Sequence, residues 1–172
     1  MDVWAFDEHR VGLKPILRKV WSPVGERPIA PVHHRYEWTY VYGFVHPARG
    51  ETQWFVLPRV NVNWFNLALE YFAKAVGAGR TKQVLLVIDG AGWHRSERLK
   101  IPDGLHVEIL PPYSPELQPA ERLWHLCDEP LVNRSFDTIE CIEEILCQRC
   151  QYLGTTFQEQ IRGLTQFHWW PA

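Results

Sequence analysis

The apolar run Val-Leu-Leu-Val-Ile at 84–88 is the feature that most constrains how this chain can fold. A strand that is apolar at every position offers no face to water, so both faces of its sheet must be covered. The run ends directly at Asp89-Gly90. We therefore expect a sheet with helices on both faces and an acidic residue at the end of one strand.

Other patterns predict the strands around this run. Alternation over 37–45, a turn containing Gly50 and a returning run over 52–60 predict a hairpin. Short apolar runs predict further strands at 3–6, 16–21 and 106–111.

Helical periodicity predicts a helix that begins at a capping Asn63 and ends at Gly77. A second helix begins near Pro119 and bends or stops at Pro130. The pair Asp137 and Glu140 predicts a capping box for a third helix. Short helical pieces are expected at 95–100 and 156–165. The order of strands and helices predicts one α/β domain over residues 1–172, with a mixed sheet.

Composition narrows the class of protein. The chain has 172 residues and a net charge of −2, so no global basic field attracts nucleic acid. Contact with DNA would have to come from local basic clusters, although solvated surface charge explains most single members. These clusters are Arg10, Lys14, Arg18 and Lys19, and Arg95, Arg98 and Lys100.

The cysteines and the N-terminal sequence bear on the compartment. Cys147 and Cys150 form a C-x-x-C pair, but no second pair completes a zinc set, which favours buried free thiols in a reducing compartment. No signal-peptide pattern occurs, and no apolar run reaches about 18 residues. We expect a cytoplasmic protein without a membrane span.

Three acids occupy positions from which a fold can gather carboxylates at one place. Asp7 follows the strand predicted at 3–6, Asp89 ends the central apolar run, and Glu121 lies near the start of a helix. Mg²⁺ takes hard oxygen ligands, and two such ions about 3.5–4 Å apart can activate a nucleophile and stabilise a leaving oxygen. The three acids therefore predict a metal site that cuts phosphodiester bonds.

Each acid also has a simpler explanation. Glu8 is formally as good a candidate as Asp7, and Asp89-Gly90 is also an ordinary turn sequence. Glu121 has the charge that favours a helix start, but Gln118 is a poor capping residue, which argues against a capping box.

The sequence blocks around these acids resemble the catalytic domain of DDE-type transposases of the mariner-related bacterial insertion-sequence group. The blocks are FDEHRVGL, VIDGAGWHRS and LPPYSPELQPAERLW, and Glu121 lies 32 positions after Asp89. The resemblance implies a ribonuclease H-like, mixed five-stranded sheet with helices on both faces. It also implies that Asp7, Asp89 and Glu121 are catalytic and bind two Mg²⁺ ions, with Mn²⁺ as a substitute. It makes His94 a candidate accessory residue, and the open alternative is a histidine that hydrogen-bonds the neighbouring turn. The implied reaction is DNA nicking and strand transfer during transposition.

The chain departs from the family pattern at several positions. Gly90 and Gln118 stand where asparagine is usual, and Asp128-Glu129 stand where basic residues are usual. We expect this acidic pair to repel DNA phosphates. Tyr113 and Trp124 are predicted to pack rather than to stack on bases, and His33-His34 to lie in a loop.

Family resemblance also implies partners. DNA is the expected substrate, as element ends and target, and a homodimer is the expected active form. Because Met1 lies only six residues before Asp7, the helix-turn-helix domain that reads element ends is expected on a separate polypeptide. The nucleoid is the expected location. Two alternatives stay open: a catalytically silent remnant that binds nucleic acid or a protein partner, and another ribonuclease H-like nuclease.

Overall fold

The computed structural model describes residues 1–29, 35–112 and 114–171, so the predictions for His33-His34 and Tyr113 lie outside the described residues. Within these ranges five strands form a mixed sheet, as predicted, and their order is β3-β2-β1-β4-β5. The strands are β1 (Asp2–Gly12), β2 (Trp38–His46), β3 (Glu51–Leu57), β4 (Val84–Ile88) and β5 (Leu105–Ile109).

Strand β1 lies at the centre of the sheet and is longer than predicted. Its parallel pairing with β4 ends at Ala5 and Val87, but its antiparallel pairing with β2 continues to Gly12. Asp7 therefore lies inside a strand and not at its end, because β2 supplies a partner where β4 no longer does.

The strand predicted at 16–21 is wrong. These residues belong to no strand of the described chain, and Leu17, Val20 and Trp21 are exposed. Since β2 and β4 occupy both edges of β1, this apolar segment has no free edge of β1 to pair with.

In the described part of the chain, four α-helices cover the two faces of the sheet. Helix α1 packs on one face, and α2, α3 and α4 pack on the other. Their bounds are α1 (Val62–Val76), α2 (Trp124–Asp128), α3 (Ile139–Thr156) and α4 (Gln158–Thr165).

The helix starts differ from the predicted caps. The side chain of Asn61, not Asn63, accepts the backbone N–H groups that begin α1. Thr138, not Asp137, caps α3 by accepting the N–H of Cys141. In both cases the residue in extended conformation just before the first turn serves as the cap.

The two short segments around the helices are tighter than predicted. The piece expected at 95–100 is a 3₁₀ turn, Gly92–Arg95. The segment that begins at Pro119 is a 3₁₀ turn, Pro119–Leu123, which continues as α2 and ends in another, Glu129–Leu131.

The aromatic side chains of β1 and β2 build the core beneath α1. Phe44 stacks on Phe72 with ring centroids 4.3 Å apart, and Phe6 lies 4.8 Å from Phe65. Ala5, the neighbour of Phe6, packs in the cluster on the opposite face. Because side chains alternate along a strand, Asp7 falls on the face covered by α2 to α4.

The prediction of buried thiols is correct for two cysteines and wrong for two. All four are free; Cys127 and Cys150 are buried, whereas Cys141 and Cys147 are exposed. A helical pattern alone places cysteines on a helix but does not say which face is covered. Among the residues that the structure describes, no helix is long and apolar enough to cross a membrane.

Two glycines with positive φ provide a matched test of packing at the β2–β3 turn. Gly50 and Gly77 have φ values of 70° and 72°, but a Cβ at Gly50 would overlap the Gln158 carbonyl, whereas at Gly77 it meets open space. We expect Gly77→Ala to destabilise the fold by about 1 kcal/mol. Gly50→Ala should cost about 2 kcal/mol more because α4 must shift. Chemical denaturation measures both, and equal losses would contradict the close packing of this turn against α4.

Candidate active site

The carboxylate of Asp7 is held by a tryptophan from the other side of the site. Trp124 Nε1 donates a hydrogen bond to Asp7 Oδ2 at 2.7 Å. Asp7 pairs across the sheet with Gly43, where an added Cβ would lie 2.8 Å from Trp124 Cη2. The absence of a side chain at Gly43 therefore makes room for the indole beside Asp7.

Burial and like charges make the site hard to ionise. Burial raises the pKa of Asp7 to about 7; the Trp124 hydrogen bond opposes this shift, and the charges of Glu121 and Asp89 add to it. Burial also raises the pKa of Glu8 to about 8, with further contributions from Asp7 and Asp89. Neighbouring carboxylates thus add to the cost of ionising Asp7 and Glu8.

Glu8 is the neighbour of Asp7 in sequence, but the two side chains lie on opposite faces of the sheet. Alternation along β1 directs Glu8 to the face of α1. Its Oε2 atom is buried and has no hydrogen-bond partner among the described residues. The structure thus separates the two acids that the sequence left as equal candidates, since only Asp7 lies on the face that carries Trp124.

Asp89 leaves the sheet where β4 ends and is held by His94. Pairing of β1 with β4 ends at Ala5 and Val87, so Asp7 and Asp89 both lie two positions beyond the last pair. His94 Nδ1 lies 2.7 Å from Asp89 Oδ1, and the N–H of Ala91 donates to the same oxygen at 3.1 Å. The His94 hydrogen bond is the main cause that lowers the pKa of Asp89, against the effect of burial.

His94 is buried rather than open to solvent. Its side chain is 0% exposed, and its ring packs 5.0 Å from Phe65 and 6.0 Å from Phe6. In this arrangement His94 contacts the acid itself, which the sequence pattern did not reveal.

Glu121 projects from the 3₁₀ turn Pro119–Leu123, which Gln118 ties to β1. Gln118 is buried; its Nε2 donates to the Phe6 carbonyl at 2.8 Å, and its Oε1 accepts the N–H of Ala120 at 3.4 Å. The prediction that Gln118 is a poor cap is therefore wrong, because its longer side chain reaches both groups. Burial raises the pKa of the largely exposed Glu121; Arg122 opposes this and Asp89 adds to it.

Asp89 and Glu121 line the same cleft. It has a volume of about 360 Å³, and its other wall is formed by a proline-rich segment. Within the described ranges, however, no three His, Cys, Asp or Glu side chains are grouped closely enough to hold a metal ion. The charges of the acids influence one another, but the side chains do not form a complete metal-binding site. The remaining lining residues are Gly90, Leu110, Pro111, Pro112, Ser114, Pro115 and Gln118.

The acidic pair after Trp124 does not behave as predicted. Asp128 is buried and its Oδ1 lies 2.9 Å from His9 Nε2, while Glu129 accepts a 2.8 Å hydrogen bond from Arg18. The expectation that both would repel DNA phosphates is wrong for Asp128, which faces the protein interior. Glu129 is offset by a cation.

Sequence reasoning identified Trp124 only as a packing residue. It does pack, but its indole N–H also binds Asp7. The available signal was chemical: a tryptophan that packs near a site usually finds a partner for its N–H group.

Removing the charge of Asp7 should stabilise the metal-free protein. The unfolded carboxyl ionises near 3.8 and the folded one near 7, so stability falls as pH rises from about 4 to 7. Asp7→Asn should remove this loss and stabilise the protein at pH 8 by on the order of 2 kcal/mol, with no gain below pH 4. Urea unfolding with a chelator present measures the effect. Asp103→Asn removes the same charge at an exposed position, and a similar gain at pH 8 there would contradict burial as the cause.

Known proteins match this chain in sequence and in fold. The family model for the DDE superfamily endonuclease matches residues 2–143. The uncharacterized protein y4pE/y4sA of Sinorhizobium fredii (strain NBRC 101917 / NGR234) is 35% identical over 111 residues, which are 64% of this chain and 81% of that protein.

The solved structures with this fold include several of the Mos1 mariner transposase. Its catalytic domain aligns with a TM-score of 0.56 and 15% identity, over 97% of this chain and 84% of that one. The Mos1 strand transfer complex aligns with a TM-score of 0.59 and 16% identity, over 98% of this chain and 56% of that one. The Mos1 mariner paired-end complex with Mn aligns with a TM-score of 0.61 and 17% identity, over 94% of this chain and 55% of that one.

This chain spans about half the length of the Mos1 chains in those complexes. At these identities the likeness is one of fold, and it confirms the predicted ribonuclease H-like sheet. The family resemblance is confirmed independently by the match over residues 2–143, and the chain belongs to the DDE superfamily of endonucleases.

Proposed function

We propose that this chain is the catalytic domain of a DNA transposase that nicks DNA and transfers strands with divalent metal ions. One observation carries the proposal: acids from three distant sequence blocks lie within electrostatic reach of one another. Asp89 and Glu121 line one cleft, and both raise the pKa of Asp7. Membership of the endonuclease superfamily supports this interpretation.

The proposed ligands fit a hard cation in type and in charge. Mg²⁺ prefers carboxylate oxygens and retains several waters, so three acids with open positions suffice. In the metal-free protein burial and mutual repulsion raise the pKa of Asp7 and of Glu121, and a bound cation would offset both effects. When bound, two ions would activate the attacking oxygen and stabilise the leaving one.

His94 and Glu121 contribute to the proposed site in different ways. His94 is proposed as a positioning residue for Asp89, since it contacts that carboxylate from the interior. Glu121 is exposed on its turn and lines the cleft with Asp89, whereas Asp7 approaches the site from inside β1. The Mos1 paired-end complexes described with Mn and with Mg support divalent metal use, with two ions as part of the proposal.

DNA is the proposed substrate. Mos1 has been solved as a paired-end complex with its left transposon end, which supports DNA ends as the ligand of this fold. We further propose that two copies of this chain act together and that a separate helix-turn-helix polypeptide reads the element ends. The proposed location is the nucleoid. The acidic pair gives the silent-remnant alternative less support than its sequence suggested, because Asp128 bonds His9 and Glu129 bonds Arg18.

Plasmid nicking tests the reaction. We expect the chain, with its DNA-reading partner supplied where needed, to nick supercoiled plasmid with Mg²⁺ or Mn²⁺ and not with chelator. Asp89→Asn and Glu121→Gln should each lower the nicking rate by about 100-fold or more, because each removes a ligand of the charge-stabilising ions.

The exposed acids Asp103 and Glu97 provide matched controls. Asp103→Asn and Glu97→Gln remove the same charge elsewhere and should leave nicking unchanged. Metal-dependent nicking that survives Asp89→Asn would refute the assignment of the site.

Basic residues beside the cleft are expected to contact the DNA backbone. A methyl group added at Gly90 would lie 3.6 Å from Arg95 Nη2, so this exposed guanidinium lies at the cleft mouth. We expect weak binding without sequence preference, and Arg95→Ala should reduce the slope of log affinity against log salt by about 1.

Arg80, which precedes β4 at the far end from Asp89, is the matched control, and Arg80→Ala should leave the slope unchanged. Fluorescence anisotropy compares both variants on random duplex and on the DNA that flanks the gene. Strong discrimination between the duplexes would contradict weak, nonspecific contact.

A further inference from the structure

The hydrogen bond between Trp124 and Asp7 joins the third sequence block to the first. At 2.7 Å it is short, and it occupies one oxygen of a partly buried carboxylate. The carboxylate also receives a backbone hydrogen bond from Glu8, and its remaining lone pairs stay open to another partner. The indole is therefore suited to set the direction in which Asp7 meets a cation.

The indole itself is held on several sides. The His9 ring stacks on Trp124 with centroids 5.0 Å apart and planes 14° apart, and His9 Nε2 lies 2.9 Å from the buried Asp128. Trp54 meets the indole edge-on at 6.3 Å. The indole also packs closely against Gly43, since a Cβ there would lie 2.8 Å from the ring. These contacts fix the position of the indole.

The contacts form a chain from Asp128 through His9 and Trp124 to Asp7. Asp128 and Trp124 belong to α2, whereas His9 and Asp7 are on one face of β1, two positions apart. The helix and the strand thus each supply one member to both polar contacts, so a shift of α2 along β1 would disturb both.

We propose that Trp124 is a positioning residue for the metal site: its N–H fixes the Asp7 carboxylate, and His9 and Asp128 fix the indole. The inference rests on the proposed function, since Asp7 is a metal ligand only within that proposal. It adds a role for three residues outside the three acids, and it gives Asp128 a purpose opposite to the repulsion expected from its charge.

Metal affinity separates this role from simple packing. Mn²⁺ is titrated into the full chain and the free ion is followed by electron paramagnetic resonance. Trp124→Phe keeps an aromatic ring against His9 but removes the N–H, and we expect it to weaken Mn²⁺ binding by about 10- to 100-fold. Trp21→Phe removes an indole N–H from a fully exposed ring and should change the affinity less than about 2-fold.

Gly43→Ala gives a second test that keeps every polar group, and it serves where Trp124→Phe does not fold. The added methyl group would press on the indole at 2.8 Å, so Mn²⁺ affinity should again fall. Gly163→Ala, where nothing lies within 4 Å of the new methyl group, is its control and should bind as the unaltered chain does.

The outcomes distinguish the two proposals. Binding that is lost in Asp89→Asn but unchanged in Trp124→Phe and in Gly43→Ala would overturn the positioning role and leave the proposed function standing. An unaltered chain that binds no Mn²⁺ would overturn the proposed metal site and the positioning role with it. Loss in Asp89→Asn together with weakening in Trp124→Phe or Gly43→Ala supports both.

Discussion

A partly buried carboxylate in the central strand is the constraint on which the rest of this structure depends. Asp7 lies where β1 is paired with β2 but no longer with β4, and burial raises its pKa to about 7. Placing a carboxyl there costs free energy, and the nearby Glu121 and Asp89 increase that cost. Such a site is most easily understood as one shaped for a positive ligand, with stability supplied elsewhere in the fold.

The aromatic core supplies that stability and also the rigidity. Beneath α1 the rings of Phe6, Phe44 and Phe72 pack within about 4–5 Å of their neighbours, a distance range at which aromatic pairs add to area burial. On the opposite face an aromatic side chain also acts on a polar group, because Trp124 packs and binds Asp7. Aromatic residues therefore serve the site as well as the core.

Sequence reasoning predicted the features that depend on local pattern. The central apolar run predicted β4 and its terminal acid, Asp89, and the long block around Glu121 predicted the family. Strand pairing was harder to predict, because the apolar composition of residues 16–21 does not show whether a sheet edge is free to pair with them. The burial of Asp128 was not predictable because its partner, His9, lies 119 positions earlier in the chain. Long-range partners decide whether an acid is a surface charge or an interior one.

Two contacts with β1 explain why the third block joins the site as one unit. Gln118 lies just before the 3₁₀ turn Pro119–Leu123 and Trp124 just after it, as the first residue of α2. Gln118 binds the Phe6 carbonyl and Trp124 binds the next residue, Asp7. These two contacts with β1 flank Glu121 in sequence, so the position of the third acid is tied to the strand that carries the first.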